Sequence, residues 1–235
     1  MDKENLYIVG VNYLAHAYLS FGNAEIAVGN LISDFVKGKK KLDYPAVVQQ
    51  GIALHRAIDQ FTDTHPVTRQ AMLYFKPDYG LYAGPLTDVV YDHFLANDPI
   101  IFPTEDTSGA RTLVGDQARI GQPPSPALAD FAREIYRQVG GHASLFPDRF
   151  ARIFPYMQSQ NWLYNYRYKE GIFNSFSGLH RRAAYMPEPE MACRLFEKYY
   201  EELNACYTAF FPALRNFALN RLQELTGNSG SGKIE

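Results

Sequence analysis

Four of the six histidines, His16, His55, His65 and His93, fall within the first 93 residues, and Asp34, Asp59, Asp63, Asp88 and Asp92 are set among apolar residues of the same stretch. His55 and Asp59 are four apart, so they share one face of a helix with a single turn between them, and Asp63 extends that line by another turn. Asp88 and Asp92 repeat the interval, and His93 adjoins Asp92. Imidazole and carboxylate together make a ligand set suited to Mn²⁺, Fe²⁺ or Zn²⁺ without any thiolate. Turned into the interior of a helical bundle, such groups are costly unless they hold a metal or one another.

Taken singly, each residue has a plainer reading. A lone His on an apolar helix face fits a hydrogen-bonded core residue. Asp63 fits the helix-ending turn Asp63-Thr64-His65-Pro66, and Asp43 fits a cap ahead of Tyr44. Repetition of His/Asp pairs on two helices, with His16 and Asp34 on the two before them, is harder to dismiss, and spacing alone leaves the metal site and the plainer readings equally open.

Helices must present these groups, and the spacing of apolar residues predicts them. The first spans Asn12 to Phe21, the second Ala24 to Lys37 with Gly38 as its stop, the third Tyr44 to Asp63. Pro66 opens a fourth to about Phe75, and Tyr82 to Asn97 is a fifth. Asp98 to Pro126 is rich in Pro, Gly, Ser and Thr without a clear period and reads as a loop. Beyond it come Leu128 to Val139, Asp148 to Gln158, Trp162 to Gly178, and one long helix from Pro189 to Leu225. No convincing strand alternation or internal repeat interrupts this series. The expectation is an all-α, single-domain helical bundle over 11–226, with a metal-site half at 11–98, the loop, and C-terminal helices at 127–226. Residues 1–10 contain Glu4-Asn5-Leu6-Tyr7, which looks like part of a protease tag, and 227–235 begin as a flexible Gly/Ser tail, so both ends stay outside the fold reading.

Bulk composition narrows the function classes. A net charge of -2 argues against a general nucleic-acid binder. Cys193 and Cys206 are the only cysteines, too few for a disulfide framework, so a reducing compartment is expected. No run approaches the roughly 18 consecutive apolar residues of a membrane span. The charged start, Asp2-Lys3-Glu4, does not read as a signal peptide, and a cytoplasmic protein is the default.

Asn12-Tyr13-Leu14-Ala15-His16, Gly29 through Gly38 (GNLISDFVKG) and Gly51 through Pro66 (GIALHRAIDQFTDTHP) resemble the acyl carrier protein phosphodiesterase family, and Asp88 through Ala96 (DVVYDHFLA) is similar to its next block. The match is ordered and strong over 12–97; later it rests on Trp162, Gly178-Leu179-His180-Arg181-Arg182 and the aromatic final helix. Family start sites fall at the first of these segments, which would put a natural start near Val11. The resemblance implies an all-helical, HD-domain-like metallophosphohydrolase preferring Mn²⁺, with Mg²⁺ or Fe²⁺ as substitutes. It implies release of 4′-phosphopantetheine from holo-acyl carrier protein, leaving apo-protein with a free serine. Asp34 matches an acidic position essential in the family, and His55, Asp59, Asp92 and His93 match its other His/Asp positions. Asp34, His55, Asp59 and Asp92 are thus the expected catalytic residues; the same four with His93 and His16 are the expected metal ligands. The pair Asp92-His93 departs from the HD pattern by reversing the His-Asp doublet.

A bound divalent ion would lower the pKa of a nucleophilic water and polarise the phosphoryl oxygen. Arg56 fits a phosphate clamp or a surface residue, and the surface reading is preferred. Lys37, Lys39, Lys40 and Lys41 read either as a solvated loop or, with an acidic carrier protein as partner, as its docking rim. Tyr164, Tyr166, Tyr168, Phe173 and Phe176 read as core packing, the alternative being an apolar channel for the pantetheine arm that no motif marks. Two other functions remain open on the sequence: an HD-like phosphohydrolase acting on a nucleotide or another phosphodiester, and a non-catalytic helical protein that binds acyl carrier protein.

Overall fold

A computed structural model describes residues 12–104, 125–183 and 185–227. Twelve α-helices make up the fold, with no strand among the described residues: α1 Tyr13–Tyr18, α2 Ala24–Ile32, α3 Ala46–Thr64, α4 Pro66–Met72, α5 Lys76–Tyr79, α6 Ala83–Ala96, α7 Pro126–Gly140, α8 Asp148–Ser159, α9 Trp162–Asn165, α10 Lys169–Arg182, α11 Pro189–Lys198 and α12 Tyr200–Thr226. The expectation of an all-α fold is met. The readings for 1–10, for 228–235 and for most of the loop (105–124) lie outside the described residues.

The site depends on how closely α2 and α3 approach. A Cβ on Gly29 would sit 2.1 Å from the Val48 carbonyl oxygen, and one on Gly51 would sit 2.3 Å from that of Ile26. Only hydrogen fits at either position, so the two backbones touch where they cross. That contact draws Asn30 and the turn after α2 against the face of α3 that carries His55 and Asp59. Asn23 caps α2 by accepting from Ile26 N at 3.0 Å.

α6 is the central helix, buried from Leu86 through Ala96 except at Asp88. It touches α1, α4, α10 and α12, while α12 also lies along α3 and α4. Aromatic rings fill the seam with α12: Phe61 stacks on Phe217 at 4.3 Å between centroids, and Tyr91 on Phe210 at 5.3 Å.

Several helices are shorter than periodicity predicts, and three predicted helices stop or break for reasons visible in their contacts. α2 stops at Ile32 rather than Lys37, because Ser33–Phe35 tighten into a 3-10 turn and Val36 becomes extended, its carbonyl taken by Arg56 Nη2 at 3.0 Å. The predicted Trp162–Gly178 helix is split into α9 and α10. At the split, the Tyr166 carbonyl accepts from His93 and the Arg167 carbonyl from Asn97, which anchors the bend to the end of α6. The long final helix breaks at Tyr199, which leaves the helical region and packs its ring on Tyr74 at 4.6 Å. α5 has no counterpart in the periodicity. The ends of the loop are pinned together, Ser125 Oγ donating to the Pro103 carbonyl at 3.1 Å over buried Phe102.

Candidate metal centre

Two helices and one turn converge on a single cluster. His55 Nε2, from α3, lies 3.1 Å from Asp34 Oδ1 and 3.0 Å from Asp59 Oδ2. His16, from α1, stacks on the His55 ring with centroids 4.0 Å apart, and its Nε2 lies 3.2 Å from Asp59 Oδ1. His16, His55 and Asp59 each offer a ligand atom, all within 4.8 Å of one another. The two histidines are buried, while the carboxylates reach the surface, Asp59 with 42% and Asp34 with 26% of the side chain exposed.

Electrostatics here favour a positive charge. Burial disfavours the imidazolium of His55, yet the charges of Asp59 and Asp34 and their hydrogen bonds override it and push its pKa up to about 10. Burial likewise opposes the charge on Asp34 and Asp59, but their contacts with His55 hold both carboxyls below the usual range. A proton on His55 thus supplies the positive charge around which the two carboxylates gather.

His16 shows what else can supply it. Asn30 Nδ2 donates to the His16 carbonyl at 2.8 Å and to Ser20 Oγ at 3.1 Å, which fixes the amide orientation. Asn30 Oδ1 then accepts from His16 Nδ1 at 2.7 Å, so the His16 proton sits on Nδ1. Nε2 is left facing the Asp59 carboxylate, buried, at 3.2 Å. An unprotonated Nε2 in this position would repel the carboxylate unless a cation stood between them. A ring nitrogen oriented in this way by an amide on its other side is the usual arrangement of a metal-ligating histidine. The donor set of imidazole nitrogens and carboxylate oxygens fits a divalent first-row ion.

Beside the cluster opens a cleft of about 150 Å³ lined by Asn12, Asp34, Asp59, Thr62, Asp63, Pro85 and Asp88. Burial, then repulsion from Asp59, Asp63, Asp92 and Asp34, raises the Asp88 pKa well above the carboxylate range; burial and Asp59 also raise that of Asp63. A cation in the cleft would relieve this crowding.

The profile of the acyl carrier protein phosphodiesterase family matches residues 11–110 and 119–214. The chain belongs to that family. Curated relatives named acyl carrier protein phosphodiesterase include one from Yersinia pestis, 28% identical over 90% of this chain and 99% of its own length. Another, from Photorhabdus laumondii, is 29% identical over 90% of this chain and 96% of its own length. No solved structure matches. The family name describes hydrolases of a phosphodiester bond, and the chain is an enzyme of that class.

Of the residues expected from this family's pattern, the structure brings together Asp34, His55, Asp59 and His16. It gives Asp92 and His93 other partners. The two oxygens of Asp92 accept from Leu14 N at 2.9 Å and Ala15 N at 2.8 Å, so this buried carboxyl caps the first turn of α1. His93 turns the opposite way, Nδ1 donating to the Tyr166 carbonyl at 2.7 Å and Nε2 lying 3.2 Å from the Tyr200 hydroxyl. Its ring meets Phe196 edge-on at 5.2 Å. Burial pushes the His93 pKa down to about 4, against the bond to Tyr166. Asp88, one turn before Asp92, is the α6 carboxylate that lines the cleft. Its four-residue interval from Asp92 was visible in the sequence; its direction was not. Asn30 carried no signal beyond its place in the GNLISDF segment. Arg56 is exposed and spans to the Val36 carbonyl, holding the turn that contains Asp34. Lys37, Lys39 and Lys40 are exposed and Lys41 half-buried, in a 3-10 stretch beyond that turn.

Proposed function

We propose that this chain hydrolyses the 4′-phosphopantetheine–serine phosphodiester of holo-acyl carrier protein, giving apo-protein and 4′-phosphopantetheine, with a divalent ion such as Mn²⁺ held by His16, His55, Asp59 and Asp34. The observation that carries the reading is the convergence of His16 Nε2, oriented by Asn30, with His55 and Asp59, their ligand atoms all within 4.8 Å of one another. The names of the relatives supply the substrate.

The ion, when bound, supplies charge relief at phosphorus and an acidified water. The chain's own groups handle the protons. Asp63, on the wall of the cleft next to Asp59, is placed to take the proton lost by the attacking water. Asp88, whose burial and acidic neighbours favour its protonated form, lines the same cleft and can deliver a proton to the serine oxygen as the phosphorus–oxygen bond breaks. Transfer between the two carboxyls across the cleft restores the starting state. Asp92 caps α1, and so sets the position of His16; His93 anchors α6 to the α9–α10 bend. Lys37, Lys39, Lys40 and Lys41 form a basic rim near Asp34 that suits an acidic carrier protein.

Two measurements on the purified protein test this reading: its metal content, and the mass of holo-acyl carrier protein after incubation with the metal-loaded enzyme. Loss of the phosphopantetheine mass is expected. An unchanged carrier protein, with turnover of a nucleotide or small phosphodiester instead, would reject the substrate; no turnover of any would reject the enzyme reading.

A further inference from the structure

A second cavity, about 500 Å³, has walls that include Arg181, Arg182, Trp162, Gln160, Asn165 and Asn174 and no carboxylate among the described residues. Two consecutive residues, Asn12 and Tyr13, contact the walls of the cleft and of this cavity in turn. Asn12 lines the cleft, and the Tyr13 ring packs on Trp162 with centroids 6.4 Å apart. The Tyr13 hydroxyl lies within the fields of both Arg182 and Asp34. Trp162 is held as a wall by its indole N–H, which donates to Gln160 Oε1 at 2.9 Å.

Arg182 is the unusual member. Its Nε and Nη2 are both buried and neither makes a hydrogen bond. Charged donors removed from water without an acceptor are costly, and burial accordingly lowers the Arg182 pKa. The Nε–Nη2 edge of a guanidinium is the edge that pairs with two oxygens of a phosphate or carboxylate. Side-chain amides beside it match the amides of an extended chain, and the indole offers an apolar face.

We infer that this cavity is the seat of the phosphopantetheine arm, with Arg182 gripping phosphoryl oxygens. The inference rests on the proposed substrate and adds where its leaving fragment is held. It makes the product, a phosphate monoester, the better ligand, because hydrolysis frees an additional charged oxygen.

Binding is measured by calorimetry on the full chain after metal removal with a chelator, so that the metal centre contributes nothing. The probes are 4′-phosphopantetheine, pantetheine and inorganic phosphate. Phosphopantetheine should bind most tightly, and Arg182→Gln should weaken it on the order of ten- to a hundredfold while leaving pantetheine unchanged. Arg182→Lys should restore part of the loss. The thermal midpoint of R182Q should equal or exceed that of the parent, since an unpartnered buried charge is removed. Gly178→Leu offers a second, steric test. A Cβ at Gly178 meets only the Arg181 and Arg182 guanidinium nitrogens, at 3.8 Å and beyond, so the larger side chain fills the cavity within an intact helix and should block both pantetheine-containing probes. Parent-like binding by R182Q, or by G178L where R182Q fails to fold, would overturn the inference. So would phosphate binding as tightly as phosphopantetheine, which would leave an anion pocket without a place for the arm. Arg182-dependent binding together with an uncleaved holo-protein would sustain the cavity and reject the proposed activity.

Discussion

His16 and His55 stack with ring centroids 4.0 Å apart and planes 21° from parallel, although one belongs to a six-residue helix and the other to the middle of α3. Both present Nε2 to Asp59, so one carboxylate joins two elements that have no other shared partner in the cluster. The stack holds because Asn30 grips His16 from one side and the Gly29–Gly51 crossing fixes α2 on α3 from the other. A metal ion bound here would depend on residues that never touch it.

Asn30 decides which nitrogen of His16 bears the proton. Asn30→Ala removes the acceptor and leaves a buried N–H without a partner. Divalent-ion affinity, read by titrating metal-free protein, should fall about ten- to a hundredfold, with hydrolysis recovered at saturating metal. Unchanged affinity would remove His16 from the ligand set.

The carboxylates of the cleft should separate by role. Asp34→Ala should abolish hydrolysis with the helical circular-dichroism signal intact. Asp88→Asn swaps a crowded carboxyl for a neutral group of the same shape. Its metal-free thermal midpoint should hold or rise, while hydrolysis falls by about 10²- to 10⁴-fold. Full turnover by D88N would take proton delivery away from Asp88.

His93 makes stability sensitive to acid. Its folded pKa, about 4, lies below the unfolded value near 6.5, so the unfolded chain binds the extra proton first. Stability is therefore full above about pH 6.5 and is lost as pH falls towards 4, by on the order of 3 kcal/mol. His93→Gln should flatten this part of the urea-midpoint profile between pH 7 and 4 and leave divalent-ion affinity unchanged. A metal-binding defect in H93Q would return His93 to the centre.

Charge reversal of Lys37, Lys39, Lys40 and Lys41 should raise KM for holo-acyl carrier protein about tenfold, each exposed charge contributing about 0.2–1 kcal/mol. Added salt should shrink the effect, and turnover of a small phosphodiester should barely change. Equal losses on both substrates would mean that the segment supports the neighbouring Asp34 turn; no loss on either would make it a solvated loop.

The all-α class and the His55/Asp59 pair were legible in the sequence because both are local. Helical periodicity and a four-residue interval act within one or two turns, and no distant contact can change which face they share. The order of the motif segments likewise carried the family. The tertiary structure decided which way α6 turns its acidic groups. α6 is buried almost all round, so its apolar pattern marks no single inward face, and Asp88, Asp92 and His93 look interchangeable along the chain. Packing breaks that equivalence: the open first turn of α1 takes both oxygens of Asp92, the carbonyl at the α9–α10 bend takes His93, and Asp88 is left to the cleft. The same physics governs Asn30 and Arg182. One is satisfied in full and the other left with two buried donors unpaired, and such a difference belongs to three-dimensional contacts, which residue type and spacing do not encode.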